Sequence, residues 1–338
     1  MKDVAAVAGC SVMTVSRCLR DDRNQSASTR ERIKSIAHKI GYQPNPLVSA
    51  LIQGRRQADR RGATLALINP SRNAQLFKTS PRDAQFLEGV RSRAESMGYR
   101  LDSFNCPPGS PAQRQLVRVL RARGIRGAIF HLFIDADARF DLDLQDLATV
   151  SVGYSLVEPA LNRVVPALYE NTLLAVNALI KAGYTRIGLV ERRATDLRTG
   201  RRFRAAVAVD AADGRIQLVP DLLVENSDTQ SIARQINAWN AKHRPAAVIS
   251  SEKALLDCIK APLRTGPARV CLNLPPDEVS FPGIDQNWRR IGEKCVEVLS
   301  AHLMRNEYGV PAIRSETVVP GFWSGLLLTA KSPPSISA

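Results

Sequence analysis

Short apolar stretches alternate with capping and turn residues at the beginning of the chain, and this pattern predicts small helices. Residues 2–8 have apolar side chains on one side, and Gly9 follows them as a turn residue. Ser11 is placed to cap a second helix, residues 12–19. Its inward positions are Val15 and Leu19, and its outward positions are Val12, Met13, Ser16 and Arg17. Two short helices about a glycine turn predict a helix-turn-helix.

A third helix is predicted where Ser28, Thr29, Arg30 and Glu31 have the spacing of a capping box. Apolar residues then recur at helical spacing over residues 33–40, before a glycine that ends the helix. We expect this helix to close a small apolar core with the first two.

The next segment, residues 42–54, has the signals of a helix that is too short to be stable alone. Asn45 can cap it, Pro46 suits the first helical position, and Gly54 can end it. Fewer residues lie between these signals than the roughly 12 to 15 that an isolated helix needs in water. We therefore expect another molecule or another part of the protein to stabilise it.

Beyond residue 62 the pattern changes to strand-like apolar runs that alternate with amphipathic helices. The predicted strands are residues 64–68, 100–104, 127–132, 149–152, 186–190, 217–219, 246–249 and 269–273. The predicted helices are residues 84–97, 112–123, 172–182, 201–211, 231–242 and 288–304. This alternation predicts parallel sheets that are covered by helices on both faces. The predicted fold class is an N-terminal all-α helix-turn-helix unit followed by an α/β region of two Rossmann-like subdomains.

Charge changes the picture at the N-terminal end. The formal charge of the chain is +15, and residues 1–62 contain 12 Lys and Arg against 5 Asp and Glu. A basic terminal unit indicates a polyanionic partner, with a merely solvated basic face as the alternative. Nucleic acid is a better candidate than a membrane, because no segment approaches the ~18 consecutive apolar residues of a membrane span. The N-terminus lacks the pattern of an export signal, so we expect a cytoplasmic protein.

The residue types that carry chemistry in enzymes and metal sites are scattered along the chain. The 6 cysteines and 4 histidines form no CxxC pair or similar ligand spacing, so neither a zinc site nor a disulfide framework is predicted. The sequence also lacks GxSxG, HExxH, Walker A and GxGxxG motifs. We therefore expect no metal, no cofactor and no enzymatic activity.

The N-terminal residues together resemble the headpiece of the lactose-repressor (LacI/GalR) family of transcription regulators, without a gap from Lys2 to Gly54. The matching residues are Asp3-Val4-Ala5, Ala8-Gly9, Ser11, Thr14-Val15-Ser16-Arg17, Thr29-Arg30, Gly41-Tyr42, Pro44-Asn45 and Leu51. The resemblance implies a DNA-binding headpiece (1–45), a hinge helix and linker (46–62), an effector-binding and dimerisation domain (63–325) and a tail (326–338). The effector domain would be periplasmic-binding-protein-like, with a ligand cleft between two lobes and chain crossings near 154–157 and 282–285.

The resemblance also assigns roles within the headpiece. Val12 and Met13 would discriminate operators in the major groove by methyl groups and shape, and Arg17 would pair with guanine or with a phosphate. Small hydroxyls near a helix N-terminus suit phosphates better than bases. The expected DNA-contacting residues are Ser11, Val12, Met13, Thr14, Ser16, Arg17, Asn24, Thr29, Asn45, Val48 and Leu51.

In this family the hinge helix folds on the operator and pairs with its copy from a second subunit. Leu51 matches the residue whose side chain enters the minor groove and kinks the duplex, while Val48 and Ile52 would pack the two copies together. The alternative is that these apolar residues pack against the effector domain. A headpiece of this kind reads half of a near-palindrome, so we expect a homodimer on double-stranded DNA.

The family's ligand positions fall on a polar set with one aromatic residue. They are Glu170, Ser251, Glu252, Asn273, Gln286 and Trp288, with Arg198 or Arg201 replacing a family arginine that aligns with Thr199. A flat aromatic beside carboxylate and amide groups suits a sugar ring, although Trp288 has the alternative role of a core residue. The basic stretch from Arg192 to Arg204 leaves an acidic or phosphorylated ligand open, and a solvated helix face is the simpler explanation.

The sequence thus predicts a sequence-specific transcription regulator, a repressor in the first instance, that binds a near-palindromic operator as a dimer. A sugar-like small molecule would control it. Two alternatives remain: a small-molecule-binding protein of the periplasmic sugar-binding type, and a DNA-binding regulator whose effector cleft is vestigial.

Overall fold

The structure, a computed structural model of the chain, describes residues 2–19, 25–40, 42, 63–132, 138–225, 228–262, 266–276, 278 and 280–327. The chain forms two compact units, Met1–Arg61 and Gly62–Ala338. The predicted hinge helix and linker, residues 46–62, lie outside the described residues, as does most of the predicted tail. Both therefore remain predictions.

The described part of the first unit contains three helices: α1 Lys2–Ala8, α2 Val12–Cys18 and α3 Ala27–Lys39. Gly9 has a positive φ of 63° and turns the chain between α1 and α2. Ser11 caps α2, because its hydroxyl accepts the N–H of Thr14 at 3.1 Å. The core residues that the three helices share are Val4, Ala5, Ala8, Val15, Cys18, Ile33 and Ala37. The predicted helix-turn-helix and the helix that closes its core are confirmed.

The start of α3 differs from the prediction. Ser26, rather than Ser28, caps the helix: its hydroxyl accepts the N–H of Thr29 at 3.2 Å, and its backbone is extended, with φ −61° and ψ 149°. Ser28 already lies within the helix. Sequence spacing did not distinguish two serines so close together, whereas a cap needs the extended backbone that Ser26 has.

Helices and strands alternate along the second unit. Its described helices are α4 Leu76–Thr79, α5 Pro81–Ser96, α6 Pro111–Ala122, α7 Leu168–Lys181, α8 Arg193–Arg198, α9 Arg202–Ala212, α10 Thr229–His243, α11 Lys253–Asp257 and α12 Trp288–Arg305. Its described strands are β1 Thr64–Asn69, β2 Arg100–Asn105, β3 Gly127–Phe130, β4 Ala138–Arg139, β5 Ala148–Val152, β6 Leu156–Glu158, β7 Arg163–Pro166, β8 Arg186–Arg192, β9 Gln217–Leu218, β10 Leu222–Val224, β11 Ala247–Ser250, β12 Ala268–Cys271, β13 Gly283–Asp285, β14 Glu316–Val319 and β15 Phe322–Ser324. Each element predicted in this region is present, within a few residues of its predicted bounds.

Two large sheets divide the second unit into two lobes. The first sheet has the strand order β14-β7-β5-β3-β1-β2, and its described pairings are all parallel. The second has the order β10-β8-β11-β12-β13-β15, with β9 also beside β8, and is parallel except for the β13–β15 pair. Central strands such as β3 are buried along their whole length, as strands covered by helices on both faces are. The two predicted Rossmann-like subdomains are confirmed.

Within the described residues the chain passes between the lobes three times. It leaves the first sheet after Pro166, at the end of β7, and not near residues 154–157 as predicted. The prediction missed β7 because its apolar run is short and ends in a proline, which donates no hydrogen bond to a sheet. The chain returns between Asp285 and Trp288, and it crosses again between Val319 and Phe322.

Helices α5 and α12 pack on the first sheet and touch each other at two glycines. A Cβ added at Gly89 would collide with the carbonyl group of Arg289, and one added at Gly292 would collide with the carbonyl group of Phe86. The two helices therefore approach backbone to backbone, which residues with a side chain would prevent. The core on this side includes Leu65, Leu67, Phe86, Val90, Ile129, Ile291, Val296 and Leu299.

Candidate functional site

The outer face of α2 presents the side chains that the sequence pattern placed there. Met13 is 66% exposed and Val12 is 41% exposed, while Val15 is fully buried in the core. Arg17 is also exposed, and Ser16 is half-buried. An apolar pair beside an arginine, on a short capped helix of a basic unit, can contact base edges and either a guanine or a phosphate.

Two hydroxyl groups that were assigned to DNA contacts take part in capping. Thr14 Oγ1 lies 2.9 Å from Ser11 Oγ at the start of α2, and Thr29 Oγ1 lies 2.7 Å from Ser26 Oγ at the start of α3. A hydroxyl has one donor and two acceptor sites, so capping leaves room for a phosphate contact as well. The other predicted DNA-contacting residues, Asn24, Asn45, Val48 and Leu51, lie outside the described residues.

A cavity of about 290 Å³ lies between the two lobes of the second unit. Much of its wall follows the carboxyl ends of parallel strands, where open α/β sheets bind ligands. The lining residues are Leu76, Arg82, His131, Leu132, Gly153, Tyr154, Ser155, Pro166, Leu168, Thr195, Arg198, Thr199, Phe203, Ser251, Asn273, Gln286 and Trp288.

Several predicted ligand residues meet at this cavity, namely Arg198, Ser251, Asn273, Gln286 and Trp288. Trp288 is only 4% exposed and packs with the core of the first sheet, so it is a core residue whose ring also forms cavity wall. Its Nε1 donates a hydrogen bond of 2.9 Å to Oδ1 of Asn273. Gln286 Nε2 donates one of 2.8 Å to the carbonyl of Leu272. These bonds hold the polar side chains in fixed positions.

Three predicted ligand residues, Glu170, Arg201 and Glu252, do not line the cavity. Glu170 and Arg201 are exposed. Glu252 turns to Arg192, whose Nε donates to Glu252 Oε2 at 2.8 Å. The family resemblance assigned Glu252 to the ligand site together with Ser251, but adjacent residues at the end of a strand point in different directions.

Of the two candidate arginines, Arg198 lines the cavity and Arg201 does not, for a local reason. Helix α8 ends with Thr199 as its C-cap, and Arg201 has a left-handed backbone, with φ 59°, directly before α9. The predicted helix 201–211 did not include this break. The turn separates the two arginines, so that Arg198 lines the cavity and Arg201 lies on the surface.

Sequence reasoning missed the residues with which the first lobe lines the cavity, above all Arg82, His131 and Tyr154. His131 follows β3 and Tyr154 lies just beyond β5. Their positions after parallel strands were a usable signal. Arg82, in the first turn of α5, had no comparable signal.

A buried carboxylate and a buried imidazole lie behind Arg82. Arg82 contacts Asp83 through Nε at 3.1 Å and Nη2 at 2.9 Å, and His131 Nε2 lies 3.3 Å from Asp83 Oδ1. Burial alone would raise the pKa of Asp83, but the contact with His131 and the charge of Arg82 outweigh it and lower that pKa. Burial lowers the pKa of His131 in spite of Asp83. At neutral pH the carboxylate is therefore ionised and the imidazole neutral.

A second buried acid, Glu191, supports the opposite wall from β8. Its Oε2 accepts the N–H of Ser251 at 3.0 Å, and its Oε1 accepts the N–H of Arg192 at 2.9 Å. Burial raises the pKa of Glu191 to about 7, the hydrogen bond from Ser251 opposes this shift, and the charge of Glu252 adds to it. Glu191 does not line the cavity, so it acts on the site by holding the backbone at Ser251.

Within the described ranges, no group of three or more His, Cys, Asp and Glu side chains is placed to hold a metal ion. None of the helices described is both long enough and apolar enough to span a membrane.

Comparisons with known proteins connect this chain to one group of regulators. Residues 1–45 match the family model LacI, described as bacterial regulatory proteins, lacI family. The HTH-type transcriptional repressor CytR of Escherichia coli (strain K12) is 25% identical over 194 residues, which cover 56% of this chain and 52% of CytR. The HTH-type transcriptional regulator MalR of Streptomyces coelicolor is 26% identical over 302 residues, which cover 85% of this chain and 80% of MalR. The chain thus spans about half the length of CytR and most of MalR.

The fold is shared with a solved structure over nearly the whole chain. A lac repressor dimer bound to operator and the anti-inducer ONPF has a TM-score of 0.56 and 19% sequence identity, and the match covers 97% of each chain. At this level of identity the similarity concerns the fold and not the choice of ligand or operator.

Proposed function

We propose that the chain is a member of the lacI family of bacterial regulatory proteins and a transcription regulator that binds operator DNA and responds to a small molecule. The observation that carries this proposal is the exposed face of α2, with Val12, Met13 and Arg17, in a basic unit that matches the family model. We expect repression in the first instance, as the name of CytR supports.

In the proposed complex, α2 enters the major groove. Val12 and Met13 contact thymine methyl groups and read groove shape, and Arg17 bonds to guanine O6 and N7 or to a phosphate. The hydroxyl groups of Ser11, Thr14, Ser16 and Thr29 contact phosphates and set the register. Asn24 and Asn45 complete the proposed set.

The operator would be near-palindromic and the functional unit a homodimer, because one headpiece reads one half-site. The hinge segment, residues 46–62, would become helical on DNA, with Val48 pairing the two copies and Leu51 inserting into the minor groove. The solved structure of a lac repressor dimer bound to operator supports the dimer and the operator by analogy.

The cavity between the lobes is the proposed effector site, within a domain that we assign to residues 63–325. A ligand that prefers one relative position of the lobes would change operator affinity, and DNA would change ligand affinity by the same coupling energy. We assign the protein no enzymatic activity and place it in the cytoplasm with its DNA, in line with relatives that are named as regulators.

Genomic footprinting of the full chain tests the proposal. We expect protection of near-palindromic sites, and adjacent genes for transport or degradation would indicate the class of ligand. A genome without any near-palindromic footprint would overturn the headpiece assignment. Footprints that no small molecule alters would instead favour a regulator with a vestigial cleft.

A further inference from the structure

Two guanidinium groups reach the same small cavity from opposite lobes. Arg82 extends from α5, which packs on the first sheet, and Arg198 ends α8, which follows β8 of the second sheet. None of the lining residues that the structure describes is an Asp or a Glu. The charged side chains of this wall are therefore cationic.

The neighbouring acids already have partners within the protein. Asp83 is held by Arg82 and His131, Glu252 by Arg192, and Glu191 by two backbone N–H groups. Arg82 uses Nε and Nη2 for Asp83, and its Nη1 makes no hydrogen bond to the described residues. One side of this guanidinium is thus available to a further acceptor.

Two more arginines flank the same wall at Tyr154, and one of them, Arg163, is paired with Glu316. The Cζ atom of Arg202 lies 4.2 Å from the centroid of the Tyr154 ring, and that of Arg163 lies 4.7 Å from it. Burial lowers the pKa of Arg198, Glu252 raises it again, and the charge of Arg82 lowers it further. Arg82 therefore acts on Arg198 as a like charge, while Glu252 has the larger and opposite effect on it.

His131 adds a polar group of another kind. It lines the cavity and is fully buried between the rings of Phe77 and Phe86. Neither ring nitrogen has the geometry of a hydrogen bond to the described residues, although Nε2 lies 3.3 Å from Asp83 Oδ1. The ring is neutral, and a proton on Nε2 would face Asp83, which leaves Nδ1 as an acceptor. A ligand hydroxyl would satisfy it.

We infer that the cavity binds a small polyhydroxy ligand with one anionic group, and that Arg82 and Arg198 hold this group from the two lobes. The inference rests on the proposed function, since it names the ligand class of the same cavity. A volume of about 290 Å³ fits a ligand of monosaccharide size. The amides of Asn273 and Gln286, the Ser251 hydroxyl and His131 would take the hydroxyl groups.

The anion has a direct effect on the lobes. Arg82 and Arg198 belong to opposite lobes, and a carboxylate or a phosphate group between them would make a charge-assisted contact with each. The anionic ligand would therefore favour the arrangement in which the two lobes are closer together, and it would do so more strongly than its neutral counterpart.

Thermal unfolding of the full chain, without DNA, tests the inference. The probes are D-glucose, D-galactose and D-ribose, each compared with its aldonate and its phosphate ester. We expect at least one anionic compound to raise the midpoint while its neutral parent does not, and the aldonate and ester arms distinguish a carboxylate from a phosphate. The inference is wrong if a neutral parent stabilises as strongly or if no anionic compound shifts the midpoint.

Variants connect the effect to the two arginines. Arg198→Gln should raise the dissociation constant of the stabilising compound about ten- to a hundredfold, the effect of removing a hydrogen bond to a charged group. Arg193→Gln, which removes an exposed arginine from the same helix outside the cavity, is the matched control. Should Arg198→Gln fail to fold, Arg82→Lys keeps a charge beside Asp83 and removes the planar fork. Full binding by either cavity variant would overturn the assignment.

Footprinting separates this inference from the proposed function. If the protein protects operators but no anionic compound binds, the proposed regulator function stands and the anionic ligand is rejected. If an anionic compound binds but no operator is protected, the ligand inference stands and the proposed regulator function is rejected.

Discussion

Trp288 Nε1 donates a hydrogen bond of 2.9 Å to Oδ1 of Asn273, and this bond joins the two lobes at the cavity. Trp288 begins α12, which packs on the first sheet, whereas Asn273 follows β12 of the second. Arg82 lies over the same indole ring, with 5.3 Å between its Cζ and the ring centroid. A ligand that bonds to Asn273 or moves Arg82 must therefore act on a contact between the lobes.

Trp288→Phe removes the indole N–H and keeps an aromatic ring. We expect the unfolding free energy of the second unit to fall by about 1–3 kcal/mol, because Asn273 loses its donor and the smaller ring leaves space in the core. Chemical denaturation with and without ligand measures this loss and any loss of ligand response. Trp323→Phe is the control, since Trp323 Nε1 bonds to the nearby carbonyl of Gly325. An equal loss of ligand response in both variants would contradict a special role for the bond between lobes.

Glu191 should make the stability of the second unit fall as pH rises. Its pKa is about 7 in the folded chain against an ordinary 4.5. Between these values the unfolded chain loses the proton while the folded chain keeps it, so unfolding free energy declines with pH and levels off above about 7.

Glu191→Gln removes this titration at nearly constant volume. The variant should be less stable than the native chain at low pH. The substituted amide turns an N–H group toward one of the two backbone N–H groups that Glu191 accepts, so that one hydrogen bond is lost. Its deficit against the native chain should narrow as pH rises from about 4.5 to about 7. Denaturation over this range measures the deficit, with Glu170→Gln at an exposed position as control. A deficit that stays constant with pH would show that Glu191 does not titrate there.

Arg17→Ala should relax base preference at one position of each half-site. The loss at that base pair should be about 1–3 kcal/mol, the value of a bidentate arginine–guanine contact. Binding to the operator and to its single base-pair variants, at one salt concentration, measures it. Arg32→Ala removes the same charge from an exposed position on α3. A uniform loss across all sequences would assign Arg17 to a phosphate.

The sequence alone yields a further prediction for Leu51, which lies outside the described residues. Leu51→Ala should weaken specific binding much more than non-specific binding, because an apolar wedge stabilises only the kinked operator, by a few kcal/mol. Titration of operator and random duplexes measures the ratio, and a bend assay reports the kink. Leu47→Ala is the neighbouring control. Equal losses on both duplexes would place Leu51 in packing against the effector domain.

The first unit could be predicted closely because its signals are local. Spacing, a glycine turn and a serine cap define α2, and the buried Val15 and exposed Met13 follow from one helical period. The same reasoning predicted Ser28 as the cap instead of Ser26, because the sequence does not show which serine has an extended backbone. Local patterns thus locate an element more reliably than its first residue.

The cavity could be predicted only in part, since it is assembled from distant segments. On the second lobe, the family resemblance predicted residues that line the cavity in the structure, including Asn273 and Gln286. Arg82 enters through the packing of the first lobe, which no spacing in the sequence encodes, whereas His131 follows a predicted strand and could have been found. Strand β7 was missed for another reason, because its apolar run is short and ends in a proline.

The close approach of α5 and α12 has a consequence for genetics. Arg82 lies about two turns before Gly89 on α5, and Trp288 about one turn before Gly292 on α12. Because a side chain at either glycine would force the helices apart, it would also move Arg82 and Trp288, which line the cavity. Under the proposed function, a selection for alleles that bind DNA but no longer respond to the small molecule should therefore recover changes at these glycines, although neither lines the cavity.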